Sequence, residues 1–566
     1  MRGGVHVTAG AAVGGGVPAV RFLARRWSPW TGAAAAVALI LAIPILVVAI
    51  GAVGVEGREV WAHLASTVMP EYLRNSVVLA VGSGGLALVI GVATAWLVAT
   101  CDFPGRRLFE WALVLPLSVP AYIAAYTYAG MLDVTGPVQR AMRALVPSLA
   151  ESFVAIPIMR IETTVVIFAL VLYPYVYLLS RAVFLGQSRT VLEAAWTLGH
   201  GGASAFWRVA LPLARPAIAA GVSMVVMEVL NDYGAVSYYG VSTFTTGIFR
   251  SWHALGDLDA AIRLAAILMV FVFAVLALER SQRGRRRVDD VGGTGHRPLL
   301  RQRLRGWRAW AAFAACVTPL LFGFLIPVAQ LSFWALRTAG DVVDAGYLRL
   351  VANSFGLATV AALLCVVIAL LLVYAGRLGG GRAVSAANRA VVLGYSIPGA
   401  VIAVGVIVPF GWIDRTVDAA VEATLGFSTG LLLSGTLFAL VFAYAVRYTA
   451  VALLPIEAGF ERQCRNLDAA SRCLGEPPLM TLWRVALPLL RRTLLAAAIL
   501  VFVDVMKEIP LTLSLRPFNF DTLATRAYQL AVDEQVAESS NAALVIIAVG
   551  LLPVLGLDRL LARGRR

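Results

Sequence analysis

Apolar residues run through this 566-residue chain in long blocks, with polar residues gathered between them. A block of 18 or more mostly apolar residues is long enough to cross a bilayer as a helix. In the first half such blocks fall at 31–53, 76–100, 109–131, 163–185, 212–231 and 261–279. In the second half they fall at 309–335, 354–375, 389–411, 430–454, 489–506 and 541–561. The pattern predicts an all-α polytopic membrane protein with about twelve transmembrane helices in two sets of six. The fifth and eleventh blocks are the least regular, because each opens at a proline and closes in acidic residues.

Composition removes the alternatives. Hydrophobic residues make up 60% of the chain and charged residues 14%, where a soluble chain carries about 25% charged residues. Mean hydropathy is +0.82. Too few charges remain to build a water-facing surface, so extracellular scaffolds, disordered tails and ordinary cytosolic enzymes are excluded. The five cysteines, Cys101, Cys316, Cys365, Cys464 and Cys473, form neither a disulfide framework nor a zinc spacing. The five histidines are scattered, and no nucleophile–base constellation points to an enzyme.

Charge sets the expected sidedness. The net charge is +15, and arginine supplies all of the basic residues except Lys507. Arginines at helix ends read as cytoplasmic anchors rather than as a nucleic-acid surface, since cytoplasmic loops keep positive charge. Arg106 and Arg107, Arg377 and Arg382, and ten arginines between 279 and 308 place the even-numbered connections inside. Arg25-Arg26 ahead of an apolar run resembles a secretory signal, but the run from Thr31 to Val53 is too long for one. It is expected to be an uncleaved first span, with both termini cytoplasmic. Residues 1–30 then form a cytoplasmic segment, 31–280 one six-span unit, 281–308 a basic linker suited to anionic lipid, and 309–566 a second unit.

The two units are copies. Trp207-Arg208-Val209-Ala210-Leu211-Pro212-Leu213 recurs as Trp483-Arg484-Val485-Ala486-Leu487-Pro488-Leu489, an offset of 276. The same offset carries Phe244 onto Phe520, Thr246 onto Thr522 and Arg250 onto Arg526. Earlier in the chain an offset of 278 carries Asn75-Ser76 onto Asn353-Ser354 and Pro120 onto Pro398. Both copies start and finish on the same side, so the repeats are parallel and enclose a central path.

Between the fourth and fifth spans of each copy lies a cytoplasmic loop, 187–212 and 455–488. The first reads Glu193-Ala194-Ala195, three residues, Gly199, and later Pro212; the second reads Asp468-Ala469-Ala470, then Gly475 and Pro488. Small alanines admit a partner surface. Glycine ends a short helix in the left-handed conformation, and each proline is expected to start the next membrane helix. These loops resemble the EAA motif of ABC importer permeases. The second copy departs from it, with Ala469 where Glu would stand and Asp468 one position early. In that family the loop docks on an ATPase subunit. The chain holds no Gly-Lys-Ser/Thr loop of its own for phosphate, because Lys507 sits in Asp504-Val505-Met506-Lys507-Glu508.

The segments after the fifth span of each copy, Glu228–Arg250 and Asp504–Arg526, resemble the fused permeases of ferric iron importers over nearly the whole chain. The resemblance implies the type I importer permease fold in a bacterial inner membrane. It implies ATP and magnesium on a cytoplasmic ATPase homodimer, no cofactor on this chain, and a periplasmic ferric-iron-binding protein. Thiamine and phosphonate permeases are similar enough to remain alternatives.

The residues themselves raise a second possibility. Glu228/Asp232 and Asp504/Glu508 are spaced i, i+4, so each pair is expected on one helix face. Intramembrane carboxylates face water or a partner. They either line the path, with Tyr233 and Lys507, or pair structurally. As a relay they would instead suit a cation- or proton-coupled secondary transporter, which leaves the doubled loop unexplained. Tyr238 and Tyr239 are further oxygen donors or interfacial anchors, His253 and Asp257 a weak metal pair or a satisfied surface pair, and Met224, Met227 and Met506 packing groups. No metal ligand set is assigned.

Overall fold

The computed structural model describes residues 29–51, 61, 65–145, 158–186, 202–283, 301–379, 381–463 and 465–563. Among these, eleven helices are long and apolar enough to cross a membrane, and a bent pair, Arg106–Ser118 with Ala121–Leu145, brings the number to twelve. The first half contributes α1 (Pro29–Gly51), α2 (Met69–Thr100), α3 (Ala121–Leu132), α4 (Ile161–Gly186), α5 (Leu211–Asn231) and α6 (Leu258–Arg283). The second contributes α7 (Trp307–Val342), α8 (Ala345–Arg377), α9 (Gly381–Ser396), α10 (Gly399–Leu425), α11 (Leu437–Arg462), α12 (Leu487–Met506) and α13 (Val536–Arg563).

Both third spans differ from the unbroken helices expected at 109–131 and 389–411. Pro120 and Pro398 stand at N-cap positions with ψ of 142° and 141°, and α3 and α10 start immediately after them. A proline disfavours α geometry in the residue before it, so the chain bends there and restarts. The first-repeat pair is bent by 87°.

Pro212 and Pro488 do not start helices as expected. Each lies within a longer helix, after a π turn: Phe206–Ala210 before Leu211-Pro212, and Leu482–Ala486 before Leu487-Pro488. Leu211 N–H donates to the Phe206 carbonyl and Leu487 N–H to the Leu482 carbonyl. The wider turn absorbs the missing proline N–H without ending the helix. Pro327 follows the same device after the π turn Leu321–Leu325.

Equivalent helices build equivalent cores. α2, α4 and α5 pack together in the first repeat, as α8, α11 and α12 do in the second. The first span of each repeat reaches across to the other bundle, while the second half of α7 also packs on α13 of its own repeat. α1 packs along α9 and α10, with Trp30 edge-on to Tyr374 at 5.4 Å, and a Cβ on Gly405 would stand 2.3 Å from the Pro44 carbonyl oxygen. In return, Phe313 of α7 meets Phe109 at 5.4 Å, and Tyr128 donates to the Phe322 carbonyl. The exchange locks the two halves together through close backbone packing, which substitutes for a hydrophobic driving force inside lipid.

One equivalence read from sequence shifts. Thr243 and Thr246 form a capping box on helix Phe244–Phe249, and Thr522 and Thr525 form the same box on helix Leu523–Val532. The offset here is therefore 279, not 276, so Thr246 matches Thr525 rather than Thr522. The side-chain amides of Asn75 and Asn353 donate to the Ser242 and Asp521 carbonyls, again 279 apart at the acceptor. The second copy holds three more residues between Glu508 and this box than the first holds between Asp232 and its own.

Candidate functional site

α5 stops at Asn231 and α12 at Met506; each is followed by a short helix, Gly234–Tyr238 or Pro510–Leu515. The breaks expose backbone donors inside an apolar protein, where each must find an acceptor. Asp232 Oδ1 accepts from Ala235 N at 2.8 Å and Val236 N at 3.2 Å. Glu508 does the same in the other repeat, with Leu511 N donating to Oε1 at 3.0 Å and Thr512 N to Oε2 at 3.1 Å. The expected i, i+4 pairing on one helix face is thus corrected. Glu228 and Asp504 belong to α5 and α12, while Asp232 and Glu508 cap the helices that follow.

The four acids nevertheless meet in one cavity of about 110 Å³ between the repeats. Glu228, Asp232, Tyr233, Asp504, Lys507 and Glu508, all singled out in the sequence, line it. Lys507 Nζ lies 2.9 Å from Asp504, and Tyr395 donates to Glu228 at 3.4 Å. Asn231 Oδ1 accepts from Gly399 N at 2.9 Å, which ties α5 to the start of α10 across the repeat boundary.

Arg447 was not among the sequence candidates. It sits on α11 with Nη1 3.5 Å from Glu508 Oε1. A Cβ on Gly399 would stand 2.4 Å from that nitrogen, so the glycine makes room for the guanidinium. Arg447 Nε and Tyr122 Oη, both buried on lining residues, have no protein partner among the described residues. The available signal was a lone charge in the apolar stretch 437–456, since an ionisable group at membrane depth marks function by default. Four carboxylates against two cations leave the lining with a formal excess of two negative charges.

A second space of about 570 Å³ is lined by Tyr233, Phe249, His253, Leu513, Arg526, Tyr528, Gln529, Val532 and Asp533. His253 stacks on Trp252 at 4.5 Å, and burial pushes its imidazole below the ordinary value. The expected pairing of His253 with Asp257 is absent: Asp257 Oδ1 accepts from Ala260 N at 2.8 Å and caps α6. Among the described residues no group of three or more His, Cys, Asp or Glu could hold a metal ion. Tyr239 is buried and donates to the Ala125 carbonyl at 3.1 Å, and Met506 is buried in the core.

The second elbow is described from Arg465. Its helix, Arg465–Cys473, ends with Gly475 N donating to the Arg472 carbonyl and Glu476 N to the Ser471 carbonyl, and Gly475 has φ of +85°. This is the glycine-terminated Schellman pattern. Asp468, displaced by one position from the family pattern, is buried against Arg377 at the end of α8. Arg377 Nη1 also donates to the Phe460 carbonyl at 2.6 Å, and Tyr374 to the Pro478 carbonyl at 2.6 Å. The elbow is thereby bonded to α8 and α11, while Ala469 and Ala470 are exposed and Leu474 is 85% exposed. Glu193, Ala194, Ala195 and Gly199 lie outside the described residues.

Residues 366–566 match the family described as the inner membrane component of binding-protein-dependent transport systems. A Fe(3+)-transport system permease protein of Haemophilus influenzae is 26% identical over 526 residues, covering 92% of this chain and 95% of the relative. A probable molybdenum ABC transporter permease protein of Haloferax volcanii is 30% identical over 224 residues, 38% of this chain and 78% of the relative. The chain belongs to this permease family. A sulfate transport system permease protein of Escherichia coli K12 is 27% identical over 252 residues, 42% of this chain and 83% of the relative. The permease accordingly spans the length of the iron relative and about twice the matched length of the molybdenum and sulfate relatives. It is a multi-pass, non-enzymatic transport subunit of an ABC importer, built as two parallel six-helix repeats.

Proposed function

We propose that this permease carries ferric iron across a bacterial inner membrane, as a cation and not as an oxyanion. The observation that carries the reading is the cavity between the repeats, with its formal excess of two negative charges. Lys507 and Arg447 each stand beside a carboxylate, so neither charge is left uncompensated to attract sulfate or molybdate. In a low-dielectric space an uncompensated like charge is repelled strongly, and hard oxygen donors suit a hard cation. The full-length similarity to the iron permease of Haemophilus supports the same cargo.

The units 31–280 and 309–566, joined by the basic linker 281–308, rock against each other with both termini cytoplasmic. A partner ATPase dimer, holding ATP and magnesium, grips the elbows at Glu193–Gly199 and Asp468–Gly475. Ala194, Ala195, Ala469 and Ala470 give it a close approach. The bonds from Asp468 to Arg377 and from Tyr374 to Pro478 transmit the push into α8 and the elbow's following helix. A periplasmic binding protein delivers iron on the opposite side. ATP and that protein supply the differential affinity for the two states that a population shift requires.

Uptake tests the reading. Cells or proteoliposomes with the whole transporter should import radioactive ferric iron and not sulfate or molybdate, and Glu228→Gln with Asp504→Asn should reduce iron uptake while the ATPase remains bound. Import of either oxyanion by the parent protein overturns the cation assignment.

A further inference from the structure

Among the described residues, Tyr233 alone lines both the inner cavity and the larger space beyond it. Its ring stacks on Phe249, with centroids 3.8 Å apart and planes at 22°. Tyr528 of the second repeat stands 6.1 Å from it at 53°. Phe249 and Tyr528 are equivalent through the 279 offset set by the capping boxes, and so are His253 and Val532; all four line the outer space. Tyr233 thus meets equivalent rings of the two repeats, at the boundary between the two spaces. Its own equivalent by the 276 offset that relates Asp232 to Glu508 is Ile509, a buried aliphatic residue. The blocking ring therefore comes from one repeat only.

The backbone at this point is fixed. Thr245 Oγ1 donates to the Asp232 carbonyl at 2.8 Å, and the Asp232 carboxylate caps the next helix. The Tyr233–Phe249 stack lies within one repeat, whereas Tyr233 faces Tyr528 across the repeat boundary. Motion of one repeat against the other would part the second contact and leave the first intact.

We propose that Tyr233 is a one-sided plug that closes the outer space, a vestibule for arriving cargo, from the inner cavity, with Phe249 as its permanent rest and Tyr528 as the ring it leaves on opening. This builds on the transport reading above, but it concerns access and holds for any cargo. Opening then needs no change of the Tyr233 backbone, only separation of the repeats.

Access from the vestibule side can be measured on the whole chain in right-side-out membrane vesicles. A cysteine placed at Val171, on the cavity wall, is exposed to a small impermeant cationic thiosulfonate without ATP. A gate that opens about 0.1–10% of the time protects it, so Tyr233→Ala should raise its labelling rate roughly tenfold or more. Tyr233→Phe keeps the ring and should label like the parent, which separates plug loss from general loosening. Equal labelling in Tyr233→Ala and parent, or equal acceleration in Tyr233→Phe, overturns the proposal. Fast labelling of Tyr233→Ala in a protein that imports no iron keeps the plug and removes the cargo reading. Normal iron import with unchanged labelling does the reverse.

Discussion

The two repeats agree in their scaffold and differ in their path. Asn75 and Asn353, Asp232 and Glu508, and the two threonine capping boxes hold matching backbone groups at matching places. These are obligations of a broken helix in a membrane, where no water is available to satisfy exposed N–H groups. The cavity-lining positions do not match. Arg447 stands opposite Val171, Lys507 opposite Asn231, and Tyr233 opposite Ile509. Duplication thus preserves what keeps the backbone satisfied, while the side chains that line the cavity are free to diverge.

The largest break in this comparison comes from Arg447→Met. It strands Glu508 without its guanidinium in a buried site, at a cost of about 3–5 kcal/mol. The double variant Arg447→Met/Glu508→Gln should regain much of that in thermal unfolding of the purified complex. A double variant no more stable than the single one would show that the pair is not what holds the second repeat's break.

The elbow sharpens the comparison next. Gly475 has φ of +85°, and a side chain with a branched Cβ there costs about 1–2 kcal/mol and shifts the exposed Leu474. Gly475→Val should cut transport roughly tenfold or more with normal membrane insertion, whereas Gly475→Asn, which tolerates this conformation, should retain it. Wild-type uptake by the valine variant would remove the elbow from the coupling route.

The smallest effect tests the scaffold itself. Thr243→Ala and Thr522→Ala each remove one capping oxygen, about 1 kcal/mol apiece. Because the boxes are equivalent, the two losses should agree within about 0.5 kcal/mol and add in the double variant. A marked inequality in their melting shifts would mean that the repeats load this position differently.

Much of this was legible in the residues. Block length alone marked the spans, because helix rise and bilayer thickness are both constants. Gly475 as a left-handed stop followed from its place after a short helical segment, and the structure bears it out. The prolines were harder. Pro212 and Pro488 looked like helix starts, yet a π turn before each lets the helix continue, and nothing local signals that turn. Asp232 and Glu508, read as either lining a path or pairing structurally, both line the cavity and cap helices, but they do not keep their expected helix face, since periodicity does not report where a helix breaks. Arg447 was visible as a lone charge in an apolar stretch, but its partner Glu508 lies 61 residues away.

Twelve apolar blocks, a duplicated motif and a basic linker are properties of the chain read in order, and they were enough to establish a doubled membrane-spanning bundle. Hydrophobic burial and local backbone geometry act over a few residues, so sequence carries them directly. Which first span crosses to the other bundle, which carboxylate caps a helix and which meets a cation, and where one tyrosine meets two matched rings depend on contacts between residues far apart in the chain. Those distances exist only once the repeats have packed, and the tertiary structure alone decided them.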